Sequence, residues 1–144
     1  MPCPVAEIFS SVQGEGLLVG CRQIFVRLQG CNINCSFCDT PSDEANFCKI
    51  EQHPGYRDFI KIPNPLTAED VAVAASSYDL SIHHSISITG GEPLLWTSFI
   101  RELVPLLKGT RHGIYLETNG TLPEELAEVI EFIDIIGWTL SCPA

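Results

Sequence analysis

The sequence predicts an α/β domain whose parallel sheet is assembled from repeated strand–helix units. Three observations carry that expectation. From residue 67 onward, segments of period-2 hydrophobicity alternate with amphipathic helical segments. The strand segments run into glycine-containing turns, Gly90-Gly91 and Asn119-Gly120. The chain has 144 residues, 45% of them hydrophobic and 18% charged, enough for one compact domain and little more. Strands joined by helices take right-handed crossovers, so side chains with a function are expected at the C-terminal ends of the strands.

Residues 5–9 read as a short first strand that enters Gln13-Gly14-Glu15-Gly16, where two glycines permit a tight loop and close backbone approach. Residues 22–28 are a clearer strand. Ile24, Val26 and Leu28 form one lane and Gln23, Phe25, Arg27 and Gln29 the other, so Arg27 faces away from the aliphatic lane. Residues 41–66 contain Pro41, Pro54, Pro63 and Pro65 together with charges and Gly55, which predicts a long irregular insertion. Thr67-Ala68-Glu69-Asp70 has the form of a capping box ahead of an alanine-rich helix that runs to Tyr78.

Residues 85–89 alternate as a strand, and Gly90-Gly91-Glu92-Pro93 breaks it. The helix that follows places Phe99, Ile100, Leu103, Val104 and Leu107 on one stripe, with Pro105 limiting its length. Residues 114–118 form the next strand and Asn119-Gly120 its turn. Residues 121–133 are a helix with Leu126, Val129, Ile130 and Ile133 inward, and residues 134–140 begin another strand.

Eight Lys plus Arg against 18 Asp plus Glu give a formal charge of −10, so no broad basic surface exists to track a phosphate backbone. Nucleic acid is not an expected partner. No apolar run approaches the roughly 18 residues of a membrane helix, and Met1-Pro2-Cys3-Pro4 lacks the basic and apolar regions of a signal peptide. A cytoplasmic protein without a membrane partner is expected.

Seven cysteines are many for a reducing compartment, and three of the seven fall within eight residues. Cys31, Cys35 and Cys38 have the spacing C-x3-C-x2-C directly after the strand at 22–28. Such a loop can wrap three thiolates around one metal centre. A cubane iron–sulfur cluster on three cysteines leaves one iron open to a chelating small molecule. A structural zinc site is the alternative, with Cys48 or His53 as fourth ligand.

Phe37 completes the pattern C-x3-C-x-aromatic-C, and with it the chain resembles the radical S-adenosylmethionine (radical SAM) enzymes. The resemblance implies a parallel (βα) barrel of the radical SAM type. It also implies a [4Fe-4S] cluster on Cys31, Cys35 and Cys38, whose open iron binds S-adenosylmethionine. The reacting radical then comes from the cofactor, and no side chain is expected to be catalytic.

Further blocks are Glu7-Ile8-Phe9-Ser10-Ser11-Val12-Gln13-Gly14-Glu15-Gly16, Phe25-Val26-Arg27-Leu28-Gln29-Gly30-Cys31-Asn32, Cys38-Asp39-Thr40, Thr89-Gly90-Gly91-Glu92-Pro93 and Glu117-Thr118-Asn119-Gly120. In this order they resemble the 7-carboxy-7-deazaguanine synthase family over nearly the whole chain apart from 41–66. The resemblance implies ring contraction of 6-carboxy-5,6,7,8-tetrahydropterin with loss of ammonia, a step toward queuosine and related deazapurines, assisted by Mg2+.

By motif, Val12, Gln13, Gly14, Arg27 and Thr89 would contact substrate. Phe37, Cys38, Asp39, Gly91 and Ser141 would border S-adenosylmethionine, and Thr40 would ligate Mg2+. Glu92 is expected to receive the cofactor's ammonium group, and Glu117 and Asn119 are further candidate contacts. Arg27 suits a substrate carboxylate because a bare cation inside the sheet costs several kcal/mol while a bidentate pair offsets it. A structural ion pair with Glu7 or Glu117 is the competing role. His53, His83, His84 and His112 match no motif and are expected in surface or core roles.

The family also implies an electron donor such as flavodoxin or ferredoxin, and a homodimer. An activase acting on a partner protein is expected to lack the Gln13-Gly14-Glu15-Gly16 block. At roughly 30 residues per βα unit, 144 residues do not complete six units, so one domain, 1–144, is expected as a C-terminally incomplete barrel with poor or absent turnover.

Overall fold

The structure, a computed structural model, describes residues 1–30 and 46–138. Its strands are β1 (Val5–Val12), β2 (Arg22–Leu28), β3 (Phe47–Glu51), β4 (Phe59–Pro63), β5 (Ser85–Gly90), β6 (Ile114–Thr118) and β7 (Ile135–Trp138). Three α-helices accompany them: α1 (Ala68–Ser76), α2 (Thr97–Leu103) and α3 (Pro123–Val129). The strands form one sheet in the order β4-β3-β1-β2-β5-β6-β7. Among the described residues it is an open sheet, with β4 and β7 at its edges.

Across β2, β5, β6 and β7 the sheet has the expected topology. β2, β5, β6 and β7 are parallel neighbours joined through helices on one face. The N-terminal part departs from it. β1 extends to Val12 and runs antiparallel to β2, because the short loop between them holds no helix that could carry the chain back across the sheet. The result is a mixed sheet with mostly parallel strands.

Residues 47–63 are a second departure, because they form a β-hairpin instead of an irregular insertion. β3 pairs parallel to β1 and antiparallel to β4, placing Cys48 and Ile50 in the core. The prolines do not oppose this. Pro54 lies in the hairpin loop and Pro63 ends the edge strand, where a missing N–H costs no ladder bond.

The core lies between the sheet and the helices. Ile8, Ile24, Val26, Ile86, Ile88 and Leu116 are fully buried against Val71 and Ala75 of α1 and Phe99, Ile100 and Leu103 of α2. α1 starts with the expected capping box. The Thr67 hydroxyl accepts from the Asp70 amide at 3.1 Å, and the Thr67 amide donates to the Asp70 carboxylate at 3.0 Å. α2 gives way to a 3-10 turn at Val104–Leu106, where Pro105 removes a helical donor. α3 is shorter than expected and tightens into a 3-10 turn at Ile130–Phe132. With three residues per turn instead of 3.6, Ile130 rotates to the surface while Val129 stays buried.

Two histidines without a sequence motif have core or partly buried roles. His83 Nε2 lies 2.7 Å from the Ser10 hydroxyl, and its Nδ1 donates to the Asp79 carbonyl at 2.6 Å. His84 packs against His112, with ring centroids 4.4 Å apart and the planes tilted by 34°. Among the described residues no helix is long and apolar enough to cross a membrane.

Candidate active site

The sheet face opposite the helices carries side chains in three rows across the strands. Strand alternation and register fix them. Nearest the C-terminal ends of the parallel strands, Glu7 pairs with Arg27, Arg27 with Thr89, and Glu117 follows on β6. The middle row is Phe9, Phe25, Ser87, Tyr115 and Ile135. The third holds Ser11, Gln23 and Ser85.

The first row is electrostatically tied. Arg27 Nη1 lies 3.3 Å from Glu7 Oε1, and both side chains are about one-third exposed, at 38% and 30%. Arg27 is therefore not the bare buried cation that its lane suggests. Its guanidinium also lies 5.7 Å from the centroid of Phe9, which stacks on Phe25 with centroids 5.0 Å apart. A guanidinium has five N–H donors, and the Glu7 contact engages one edge of that fork. Thr89 donates to Glu117 Oε2 at 2.8 Å.

Burial pushes the Glu117 carboxyl above its usual range, and Glu15 pushes it further, while the Thr89 hydrogen bond and Arg27 act in the opposite direction. Burial likewise raises the Tyr115 phenol, with Glu117 and Glu15 adding to the effect. A cavity of about 270 Å³ opens here, between the 15–18 loop and the last two strands, and Glu15, Tyr115, Glu117 and Trp138 line it. Gly137 is needed beside it, because a Cβ there would collide with the Tyr115 hydroxyl.

The residues expected at a substrate site divide by environment. Thr89 and Arg27 share the first row. Gln13 is 4% exposed and bonded at both side-chain heteroatoms: Nε2 donates to Gln23 at 2.9 Å, and Oε1 accepts from the amides of Gly14 at 3.1 Å and Glu15 at 3.4 Å. Val12 is exposed at the end of β1, away from the first row. Gly91 lies at the end of β5, after Gly90, where any side chain would strike the Leu28 carbonyl.

Glu92 is bonded within the fold. It is 1% exposed, and its carboxylate accepts from the Leu94 amide, the Thr118 hydroxyl and the Asn119 amide at 2.8–2.9 Å. Its own amide donates to the Gly30 carbonyl at 2.8 Å. Glu92 thus ties together the ends of β2, β5 and β6. Trp96 adds a bond from Nε1 to the Gln29 carbonyl at 2.7 Å, so the chain leaves β2 beside the Gly90-Gly91 turn.

Cys31, Cys35, Phe37, Cys38, Asp39, Thr40 and Ser141 lie outside the described residues. The donors that would have made the cysteine loop a zinc site are described. Cys48 is fully buried in the core on the helix side of β3, and burial pushes its thiol up to about 12, which disfavours a thiolate ligand. His53 Nδ1 is 2.5 Å from Asp58 in the exposed hairpin loop.

Sequence reasoning missed Phe9, Ser85, Ser87 and Tyr115 as members of this face, while Gln23 lies in the Arg27 lane as expected. The signal was present, since Ser85 and Ser87 share a lane with Thr89, and Tyr115 shares one with Glu117.

A family model described as the radical SAM superfamily matches residues 25–139. The chain is similar to a 7-carboxy-7-deazaguanine synthase of Geobacter sulfurreducens, 46% identical over 142 residues that cover 96% of this chain and 56% of that protein. It is 45% identical over 135 residues to a protein of the same name from Methanothermobacter thermautotrophicus, covering 93% of this chain and 47% of the relative. The chain spans about half the length of these curated relatives. It is also similar to the crystal structure of QueE from Escherichia coli, with a TM-score of 0.54 and 27% identity over 84% of this chain and 54% of that one.

Proposed function

This chain belongs to the radical SAM superfamily, and from that premise we propose that it takes part in the ring contraction of 6-carboxy-5,6,7,8-tetrahydropterin to 7-carboxy-7-deazaguanine, with release of ammonia. The observation that supports this most is the first row. A guanidinium, a hydroxyl and a carboxyl whose pKa burial raises stand side by side at strand ends above an aromatic row. That combination suits a flat heteroaromatic compound carrying a carboxylate.

In this reading Arg27 turns part of its donor fork from Glu7 to the substrate carboxylate, and Thr89 contributes a hydroxyl beside it. Val12, Gln13 and Gly14 form the loop that bounds the pterin. Cys31, Cys35 and Cys38 hold the [4Fe-4S] cluster, Phe37, Cys38, Asp39, Gly91 and Ser141 border S-adenosylmethionine, and Thr40 ligates Mg2+. When bound, the cluster and S-adenosylmethionine supply the hydrogen-abstracting radical. The chain's own part is to fix the substrate by its carboxylate and ring faces, and to keep water from it. The reading also includes a flavodoxin or ferredoxin electron donor, a homodimer and a cytoplasmic setting.

The test is anaerobic reconstitution with iron and sulfide, followed by incubation with S-adenosylmethionine, reductant, Mg2+ and the carboxypterin. Mass spectrometry should find 7-carboxy-7-deazaguanine only when all components are present. Protein that retains zinc in place of iron and sulfide, or an iron-loaded protein that binds neither S-adenosylmethionine nor the carboxypterin, contradicts the proposal.

A further inference from the structure

We propose that Gln23 is a positioning residue for the Gln13–Gly16 loop, acting through Gln13 as the inner link of a buried hydrogen-bond relay that continues to Ser85 and His84. The proposal rests on the pterin reading above, since it assigns the loop its support.

Gln23 and Ser85 are fully buried on adjacent parallel strands, and Gln13 is 4% exposed just beyond β1. The bonds run in one direction. Gln13 Nε2 donates to Gln23 Oε1 at 2.9 Å, and Gln23 Nε2 donates to the Ser85 hydroxyl at 2.9 Å. Ser85 Oγ and His84 Nδ1 are 2.9 Å apart. Having accepted from Gln23, the serine oxygen still has its own hydrogen and a second lone pair, so it can bond His84 Nδ1 in either tautomer of the ring. Burial lowers the pKa of His84, and His112 and Arg111 lower it further.

This polarity sets both amide orientations. Turning the Gln23 amide over would bring its NH2 against the NH2 of Gln13. With Nε2 of Gln13 committed to Gln23, its Oε1 must face the loop, where it accepts from the amides of Gly14 and Glu15. The loop is closed at its base by Gln13 N to Cys21 O at 2.9 Å and Gly20 N to Gln13 O at 2.8 Å. The loop so shaped carries Glu15 and Gly16 to the cavity that Tyr115 and Glu117 line on the opposite side. A polar chain in a buried lane specifies one arrangement where apolar side chains would allow several.

Pterin binding tests this. Isothermal titration of 6-carboxytetrahydropterin into the anaerobically reconstituted chain, saturated with S-adenosylmethionine, gives the affinity of each variant. Gln23→Met should weaken pterin binding about tenfold, the effect of losing one buried hydrogen bond at the loop's support. Gln13→Ala should lose as much, and the double variant no more than Gln13→Ala alone, because Gln23 acts only through Gln13. Gln23→Glu, protonated in this buried lane, preserves both links and should restore affinity to within about twofold. Ser85→Ala should show a smaller loss and carries the test if Gln23→Met does not fold. S-adenosylmethionine affinity should stay unchanged throughout. Undiminished pterin affinity in Gln23→Met, additive losses in the double variant, or parallel loss of both ligands would overturn the inference. Absence of pterin binding by the unmodified chain would instead overturn the functional reading on which it rests.

Discussion

The Thr89 hydroxyl donates to Glu117 Oε2 across 2.8 Å, linking neighbouring parallel strands on the row that also holds Arg27. Glu117 holds its proton more tightly in the fold than its ordinary value of 4.5, chiefly through burial. The folded state therefore binds more protons than the unfolded state as pH rises through that value, and stability falls until the folded pKa is passed. Glu117→Gln keeps an acceptor for Thr89 and has no proton to lose. It should be more stable than the parent at pH 7 and lose that advantage below about pH 4. Urea unfolding midpoints at the two pH values check this, and an advantage that is the same at both contradicts it.

Glu92 gives a prediction of stability rather than binding. Glu92→Ala removes the shared acceptor of the Leu94 amide, the Thr118 hydroxyl and the Asn119 amide. At about 1–3 kcal/mol for each buried donor so deprived, the loss should be about 3 kcal/mol or more. Glu92→Gln retains one oxygen and should lose about 1 kcal/mol. Chemical denaturation separates the two variants, and a mild effect of the alanine variant would show that the carboxylate does not tie the strand ends together.

The cysteines allow a clean division. Cys48 is a core side chain of β3, so Cys48→Ala should keep the iron and sulfide of the reconstituted protein and cost about 1 kcal/mol of stability. Cys35→Ala should lose the cluster. Iron and sulfide analysis, together with the paramagnetic signal of the reduced protein, distinguishes them, and the reverse pattern would make Cys48 a ligand.

Much of this was legible in the sequence wherever one periodicity held without interruption. The lane Gln23-Phe25-Arg27 showed which face of β2 looks away from the helices, and the capping box at Thr67 fixed the start of α1. The hairpin at 47–63 is not legible from proline content, because Pro54 and Pro63 occupy a loop and a strand end, where proline is compatible with a strand pair. The antiparallel pairing of β1 follows from the length of its connection to β2, which periodicity within each strand does not report. The inward turn of Glu92 was equally hidden, since its acceptor role depends on Thr118 and Asn119, 26 and 27 residues away. Glutamate beside two glycines looks the same in sequence whether it meets a ligand or the end of the next strand.

The central claim is that the first row binds a carboxylated pterin through Arg27, and Glu7 makes it directly testable. Glu7 lies 3.3 Å from the Arg27 guanidinium and competes with an incoming carboxylate for the same donors. Calorimetric titration of the reconstituted protein with 6-carboxytetrahydropterin should show Arg27→Met weakened by about tenfold or more, from a charge-assisted pair of roughly 1.5–3 kcal/mol. Glu7→Gln should bind at least as tightly as the parent, and the decarboxylated pterin should bind Arg27→Met and the parent alike. Equal affinity of the parent and Arg27→Met for the carboxylated compound would contradict the account.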